Sequence, residues 1–217
     1  MPLTLMDRRC MRGGSPRGIA FGEGVVWLVC ESTPSTLYRI APRHHSLEPW
    51  ASVGIAKPRG LTWDPSRRTL WLADGETRTL TELDPASGAD RTTLALPPIR
   101  YPAGLALSDD TFFLADYENG AVLGLSYPEA RERWRRPLAP RPCGLEWIDG
   151  RLWAAEEAGS ALVCWDPTDG RLGRTEPLPA DLRGHGLTGL AWDGTTFWLG
   201  DETARAVVRL RPDPPIR

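Results

Sequence analysis

A short phrase that recurs five times constrains the fold of this chain more than any other feature. It reads proline, any residue, glycine, apolar residue, and its glycines are Gly18, Gly60, Gly104, Gly144 and, in a variant that begins with leucine, Gly189. Successive glycines are 40 to 45 residues apart. A repeat of this period is typical of architectures that copy one supersecondary unit around an axis or along a stack.

Two further positions recur at nearly constant spacing after each glycine, first an aromatic one and then an apolar one, and we call them the aromatic and apolar anchors. Each unit otherwise reads as four short strands separated by turns rich in Asp, Pro, Ser and Gly, without a helical period. The sequence therefore predicts an all-β, five-bladed β-propeller with four-stranded antiparallel blades. The aromatic anchors are Trp27, Trp71, Phe113, Trp153 and Trp198, and the apolar anchors are Ile40, Leu83, Leu125, Trp165 and Leu210.

The fifth unit is one strand short, and an unassigned segment precedes the first unit. Residues 3–9 are predicted to supply the missing strand, which closes the ring and removes an exposed sheet edge. An open fragment that dimerises into a larger ring is the alternative. The prediction is one domain over residues 1–217, with blades at 16–53, 58–97, 102–138, 142–178, and 187–212 plus 3–9.

Charge and composition exclude several classes of function. The formal net charge of −2 provides no basic field for nucleic acid or an anionic membrane, and no apolar run is long enough to span a bilayer. The first residues contain no apolar signal segment, and the four cysteines have no metal-finger spacing. We therefore expect a cytoplasmic monomer with free thiols; a mature chain that has lost its signal is the alternative.

Comparison of the repeats with one another separates packing residues from candidate functional residues. A residue that recurs in every blade serves packing, whereas a binding or catalytic group is needed once. The residue before each glycine differs most between repeats. Because the inner strands of a propeller begin beside its central channel, these positions are predicted to ring the channel mouth, where ligands bind. They are Arg17, Arg59, Ala103, Cys143 and Thr188.

Arg17 and Arg59 are predicted to be neighbours at this mouth, and two adjacent guanidinium groups require anions. Either carboxylates at the ends of the second strands neutralise them, or a ligand does. Glu31 and Tyr117, just past two of those strands, are predicted beside them, and Thr188 completes the ligand-binding set. The predicted ligand is a small molecule that carries a carboxylate or a phosphate, since arginine binds both through paired hydrogen bonds.

A carboxylate three residues after the aromatic anchor recurs in four repeats, and Cys30 occupies the position in the first. These groups either form a ring of metal ligands or accept hydrogen bonds from the adjacent turns, and the second interpretation suits a recurring position better. No motif supports a divalent metal at the mouth, so the cofactor stays open. The four carboxylates are Asp74, Asp116, Glu156 and Asp201.

Three residues near the predicted mouth are candidates for catalysis. His185 lies between two glycines in the longest connection, where it is either a general base or a surface histidine without a role. Cys143 is a candidate nucleophile. Glu157, just past the second strand of the fourth blade, is the third candidate.

Several phrases resemble known propeller families. The Pro-x-Gly-Leu-x-Trp and Leu-Asp-Pro-x-x-Gly phrases are similar to blades of the NHL, SMP-30/gluconolactonase and virginiamycin B lyase type, which generally have six or seven blades. The five-bladed glutamine cyclotransferase family, also called type II glutaminyl cyclases, is a closer match. The segments that resemble it are residues 30–40, 144–154 and 187–193.

This resemblance implies a five-bladed ring with a leading closure strand, and it suggests cyclotransferase, lyase or hydrolase chemistry at the mouth. The mouth phrases of these families are not retained. Arg59 stands where the cyclotransferases have the glutamate of their Phe-Gly-Glu-Gly-Leu phrase, and Arg-Gly replaces the metal-binding Asn-Gly of SMP-30.

The sequence leaves three functions open. The mouth is either a small-molecule site with enzymatic activity or a non-catalytic site for a ligand or protein partner. A stand-alone propeller without activity is the third.

Overall fold

The computed structural model describes residues 3–11, 13–41, 46–139, 141–156, 159–214 and 216. These residues form twenty β-strands in five four-stranded antiparallel sheets, which confirms the predicted five-bladed propeller. In chain order the strands are β1 (Leu3–Cys10), β2 (Ser15–Gly22), β3 (Val25–Glu31), β4 (Ser35–Ile40), β5 (Leu47–Val53), β6 (Pro58–Asp64), β7 (Thr69–Asp74), β8 (Thr79–Leu83), β9 (Asp90–Ala95), β10 (Pro102–Leu107), β11 (Thr111–Asp116), β12 (Ala121–Ser126), β13 (Glu132–Pro137), β14 (Pro142–Ile148), β15 (Arg151–Glu156), β16 (Ala161–Trp165), β17 (Leu172–Pro177), β18 (Leu187–Trp192), β19 (Phe197–Asp201) and β20 (Ala206–Pro212).

The blades run β2 to β5, β6 to β9, β10 to β13, β14 to β17, and β18 to β20 with β1, and we number them 1 to 5 in that order. Within each blade the first strand lies nearest the axis. Every residue of β7 is buried, whereas β9 in the same blade is almost wholly exposed. The second strand of this blade is therefore a near-continuous apolar run, whereas its outermost strand carries charged residues.

The N-terminal strand closes the ring, as the sequence predicts. β1 is the outermost strand of blade 5 and pairs antiparallel with β20, from Leu3 opposite Pro212 to Cys10 opposite Ala206. Leu3 is buried beside Leu182 and Leu210 in the apolar layer between blades 4 and 5. The pairing covers the edge of β20, which would otherwise offer unpaired backbone groups to another chain.

Each boundary between neighbouring blades is filled by its own apolar cluster. The recurring aromatic side chains lie in these clusters, as predicted: Trp71 packs edge-on against Phe112 of the next blade with ring centroids 5.2 Å apart. Trp198, also in the second strand of its blade, packs with Ile19 and Leu28 of blade 1. The aromatic residues therefore hold the blades against one another, which is a packing role.

The repeated glycine of each inner strand allows the inner strand of the next blade to approach closely. A Cβ atom at any of these positions would lie within 2.8 Å of an atom in the inner strand of the next blade. At Gly60 it would lie 2.5 Å from the backbone nitrogen of Leu105, and at Gly144 it would lie 2.6 Å from the carbonyl carbon of Gly189. The backbones of neighbouring inner strands thus approach one another at the repeated glycines, and only glycine permits this approach.

No helix in the described ranges is long and apolar enough to cross a membrane. The helical element there is one 3₁₀ turn, Ala180–Leu182.

Candidate functional site

One end of the propeller axis holds a cavity of about 270 Å³. The five residues that precede the repeated glycines all line it, so the structure brings together positions that are 40 or more residues apart in the chain. We call it the mouth cavity. Its lining residues are Arg17, Arg59, Tyr101, Ala103, Tyr117, Glu118, Cys143, Gly186, Leu187, Thr188 and Glu202.

A β-bulge at the start of every inner strand directs these residues toward the mouth. In β6, Arg59 and Gly60 together oppose Ala73 alone, because the register runs from Pro58 opposite Asp74 to Leu61 opposite Leu72. The other inner strands shift register at the equivalent place. A bulge adds one residue to the strand and changes the direction of its side chains, and bulges are common beside binding sites.

Arg17 and Arg59 are joined by a shared carboxylate. Glu31 Oε2 accepts hydrogen bonds from Arg17 Nε at 2.7 Å and from Arg59 Nη1 at 2.9 Å. Arg17 Nη1 also pairs with Glu202 Oε2 at 2.8 Å. The strand-end carboxylates therefore do neutralise the two arginines, which is one of the two arrangements that the sequence leaves open.

Glu31 and Glu202 accept hydrogen bonds from only some of the N–H groups of the two guanidinium groups. Arg59 Nη1 donates to Glu31 and to the carbonyl of Pro58, while its Nε is buried beside Gly75 without a hydrogen bond. Among the hydrogen bonds of the described residues, none involves Nη2 of Arg17 or of Arg59. Glu31 is not among the residues that line the cavity.

The ion pairs fix the charge states of this group. Burial alone would raise the pKa of Glu31, but the hydrogen bonds and charges of Arg59 and Arg17 outweigh burial and lower it. Burial opposes the charge of Arg17, yet Glu202 and Glu31 raise the pKa of its guanidinium. The Glu31 carboxyl and the Arg17 guanidinium are therefore both ionised at neutral pH.

Two tyrosines form an aromatic wall next to Arg59. The rings of Tyr101 and Tyr117 have centroids 5.8 Å apart, and the backbone nitrogen of Tyr117 donates to the carbonyl of Tyr101. The guanidinium carbon of Arg59 lies 5.1 Å from the centroid of Tyr101, and that of Arg141 lies 6.0 Å from Tyr117. The wall is thus bounded by cations on both sides.

His185 lies at the edge of the mouth, directly before Gly186, which lines the cavity. Its Nδ1 is 2.8 Å from Oδ2 of Asp201, and Asp201 is fully buried. A carboxylate in this position orients an imidazole and leaves Nε2 as the nitrogen available to a ligand. Glu157, the third catalytic candidate, lies outside the described residues.

Cys143 lines the mouth cavity and donates a hydrogen bond from Sγ to the carbonyl of Ala155 at 3.2 Å. Cys10 is exposed and Cys143 is partly exposed, whereas Cys30 and Cys164 are buried. Burial raises the pKa of Cys30 to about 12 against the opposing charge of Arg17, and burial also raises that of Cys164. Solvent access therefore separates the accessible Cys10 and Cys143 from the buried Cys30 and Cys164, and burial also disfavours the thiolate of the buried pair.

We expect two thiols to react quickly with Ellman's reagent at pH 8 in the native protein, and all four after denaturation. The Cys143→Ser variant should lose one of the two fast phases, and Cys30→Ser should lose neither. Four fast phases in the native protein would contradict the burial of Cys30 and Cys164.

The recurring carboxylates hold the turns that follow the second strands. Asp74 accepts hydrogen bonds from the Glu76 backbone and the Thr77 hydroxyl, both at 2.8 Å. Asp116 accepts one from the side chain of Asn119, at 2.7 Å. No cluster of three or more His, Cys, Asp or Glu side chains that could hold a metal occurs within the described ranges. Asp74 and Asp116 therefore have the structural role that their recurrence predicts.

The comparison of the residues before each glycine does not identify Tyr101 as a lining residue of the cavity, although another position in the repeat does. Tyr101 precedes the third phrase, at the position where the other repeats have Ser15, Lys57, Arg141 and Gly186. A comparison of that position across the five repeats would have marked it as the one aromatic.

Known structures support the fold of this chain and no more. Virginiamycin B lyase from Staphylococcus aureus, solved as a catalytically inactive variant with quinupristin, is 14% identical with a TM-score of 0.59, and the match covers 97% of this chain and 99% of that one. Glutaminyl cyclase from Myxococcus xanthus is 12% identical with a TM-score of 0.50, over 92% of this chain and 68% of that one.

A streptogramin B lyase is 12% identical with a TM-score of 0.55 over 90% of this chain, which spans 64% of the length of that lyase. No protein-family model matches the sequence, and no curated protein matches it either. The structural likeness to the lyase and cyclase propellers agrees with the resemblance seen in the blade phrases.

Proposed function

We propose that the mouth cavity binds a small molecule that carries a carboxylate or a phosphate. The observation that supports this most is that Arg17 and Arg59 both line the cavity and are held together by one carboxylate, that of Glu31. Each guanidinium keeps N–H groups for a ligand, and a hydrogen bond to a charged group is among the strongest that a protein makes.

The size of the site and its polar side chains also favour a small ligand. A cavity of about 270 Å³ lies below the usual range for drug-sized ligands, and polar side chains converge on one side of it. Acid–base catalysis by His185 on the bound molecule, with Cys143 or Glu157 as further catalytic groups, stays a prediction. The pairing of His185 with Asp201 favours such a role for the histidine.

Binding is tested by isothermal titration calorimetry with acetate, benzoate and inorganic phosphate, each against an uncharged counterpart such as benzamide. Arg17→Ala and Arg59→Ala should each weaken binding of the anions by about 10- to 100-fold, which corresponds to one hydrogen bond to a charged group. Benzamide should bind weakly to every variant.

Arg133→Ala is the matched control, because Arg133 also pairs with a carboxylate, that of Asp110, but does not line the cavity. Its affinities should equal those of the unsubstituted protein. Equal affinities in the Arg17 and Arg59 variants, with unchanged thermal melting, would show that these residues do not bind the anion.

A further inference from the structure

The two arginines lie on one side of the mouth cavity. Blades 5, 1 and 2 contribute Glu202, Arg17 and Arg59, which are linked through ion pairs. Across from them, blades 3 and 4 contribute Ala103, Cys143, the two tyrosines and the carboxylate of Glu118, which is half-exposed and lies 4.0 Å from Arg100. A ligand anion held by the arginines therefore directs the rest of the molecule toward alanine, cysteine and tyrosine side chains.

The aromatic wall of Tyr101 and Tyr117 lies next to the two arginines. Tyr101 packs against Arg59, and Tyr117 packs against Tyr101 with the ring planes tilted by 58°. Both rings line the cavity, so the atoms attached to a carboxylate on Arg59 lie beside aromatic surface. Aromatic rings bind other rings in offset or edge-on arrangements and gain more from them than from saturated groups of the same size.

The size of the cavity limits the size of this group. Its volume of about 270 Å³ lies below the usual range for drug-sized ligands, so the group attached to the acid must be small.

We infer that the ligand of this site is a small aromatic carboxylate, with its acid group on Arg17 and Arg59 and its ring against Tyr101 and Tyr117. This inference rests on the proposed function, because it assumes an anion on the two arginines. It adds the chemical class of the remainder of the ligand.

The test compares affinities of sodium benzoate, sodium cyclohexanecarboxylate and sodium acetate by calorimetry. Benzoate should bind about 10- to 100-fold more tightly than acetate, because its ring is buried, and a few-fold more tightly than cyclohexanecarboxylate. Tyr117→Ala should remove most of the advantage over acetate. Tyr117→Leu keeps apolar volume without a ring, so it should bring benzoate and cyclohexanecarboxylate to equal affinity.

Trp50→Ala is the control for unspecific binding. Trp50 is exposed on β5 and stacks on Arg39, with the guanidinium 3.7 Å from the ring, so it offers an arginine–aromatic pair outside the cavity. The affinity for benzoate should not change in this variant.

The outcomes separate the two claims. If acetate and phosphate bind as tightly as benzoate, and binding still depends on Arg17 and Arg59, the aromatic class is wrong and the anion site stands. If no anion binds, both are wrong. If benzoate binds tightly but Tyr117→Ala leaves its affinity unchanged, the ring does not lie against this wall, and the inference is overturned.

Discussion

A chain that lacks residues 3–10 should fail to form the native propeller. β1 supplies the fourth strand of blade 5, with seven residue pairs to β20, and buries Leu3 between blades 4 and 5. Its Arg9 stacks on Trp198, with the guanidinium 5.1 Å from the ring. A domain is stable by only about 5–15 kcal/mol, so the loss of a whole strand removes a large share of that free energy.

Far-UV circular dichroism and urea unfolding of the truncated chain should show no cooperative transition, and gel filtration should show association through the exposed edge of β20. A circular permutant provides the matched control. Leu3 lies opposite Pro212, so β1 can follow β20 through a short turn in a chain that begins at Gly13 and ends at Met11. The permutant should regain cooperative unfolding, whereas a native-like transition in the truncated chain would show that closure by β1 is dispensable.

The number of blades was predictable because each blade needs the same packing residues at the same places. Trp71, Trp153 and Trp198 recur at one register since every boundary between blades needs a large side chain there. The five positions of the mouth followed from the opposite argument, because they differ between repeats while the adjacent glycine does not. Neither conclusion requires knowledge of a side-chain conformation.

The contacts within the site were not predictable to the same depth. Whether Glu31 or a ligand neutralises Arg17 and Arg59 depends on how the bulges aim three long side chains, and the repeat pattern carries no information on that. Period-two alternation also assumes that one face of a strand is solvated. Inner strands are buried on both faces, so alternation does not show whether a polar residue in them, such as Glu146, faces solvent.

Glu146 lies on the inner strand of blade 4, two residues after the repeated glycine. The equivalent residues of the other blades are small and buried: Ala20, Thr62, Ala106 and Ala191. Glu146 touches solvent to some degree, yet protein surrounds it, and no ion pair of the described residues includes it. Burial raises the pKa of its carboxyl well above the ordinary value, against a smaller lowering by the backbone N–H of Trp147.

Stability should therefore fall as pH rises, because of Glu146. Below the unfolded pKa of about 4.3 the carboxyl is protonated in both states and has no effect on the free energy of unfolding. Between that value and the higher pKa of the folded state, only the folded protein keeps the proton. The free energy of unfolding then decreases by about 1.4 kcal/mol for each pH unit. Urea unfolding at intervals from pH 4 to pH 8 measures this slope.

Glu146→Gln keeps the shape of the side chain and cannot ionise, so it should be more stable than the unsubstituted protein at pH 8 and equal to it at pH 4. Glu31→Gln provides a contrast of opposite sign, because the arginines lower the pKa of Glu31 in the folded state. Its native stabilisation is present above the unfolded pKa and is lost as pH falls through the folded one. Glu31→Gln should thus be less stable at pH 8 and approach the unsubstituted protein in acid. Parallel stability curves for Glu146→Gln and the unsubstituted protein would mean that the Glu146 carboxyl ionises in the folded protein without cost.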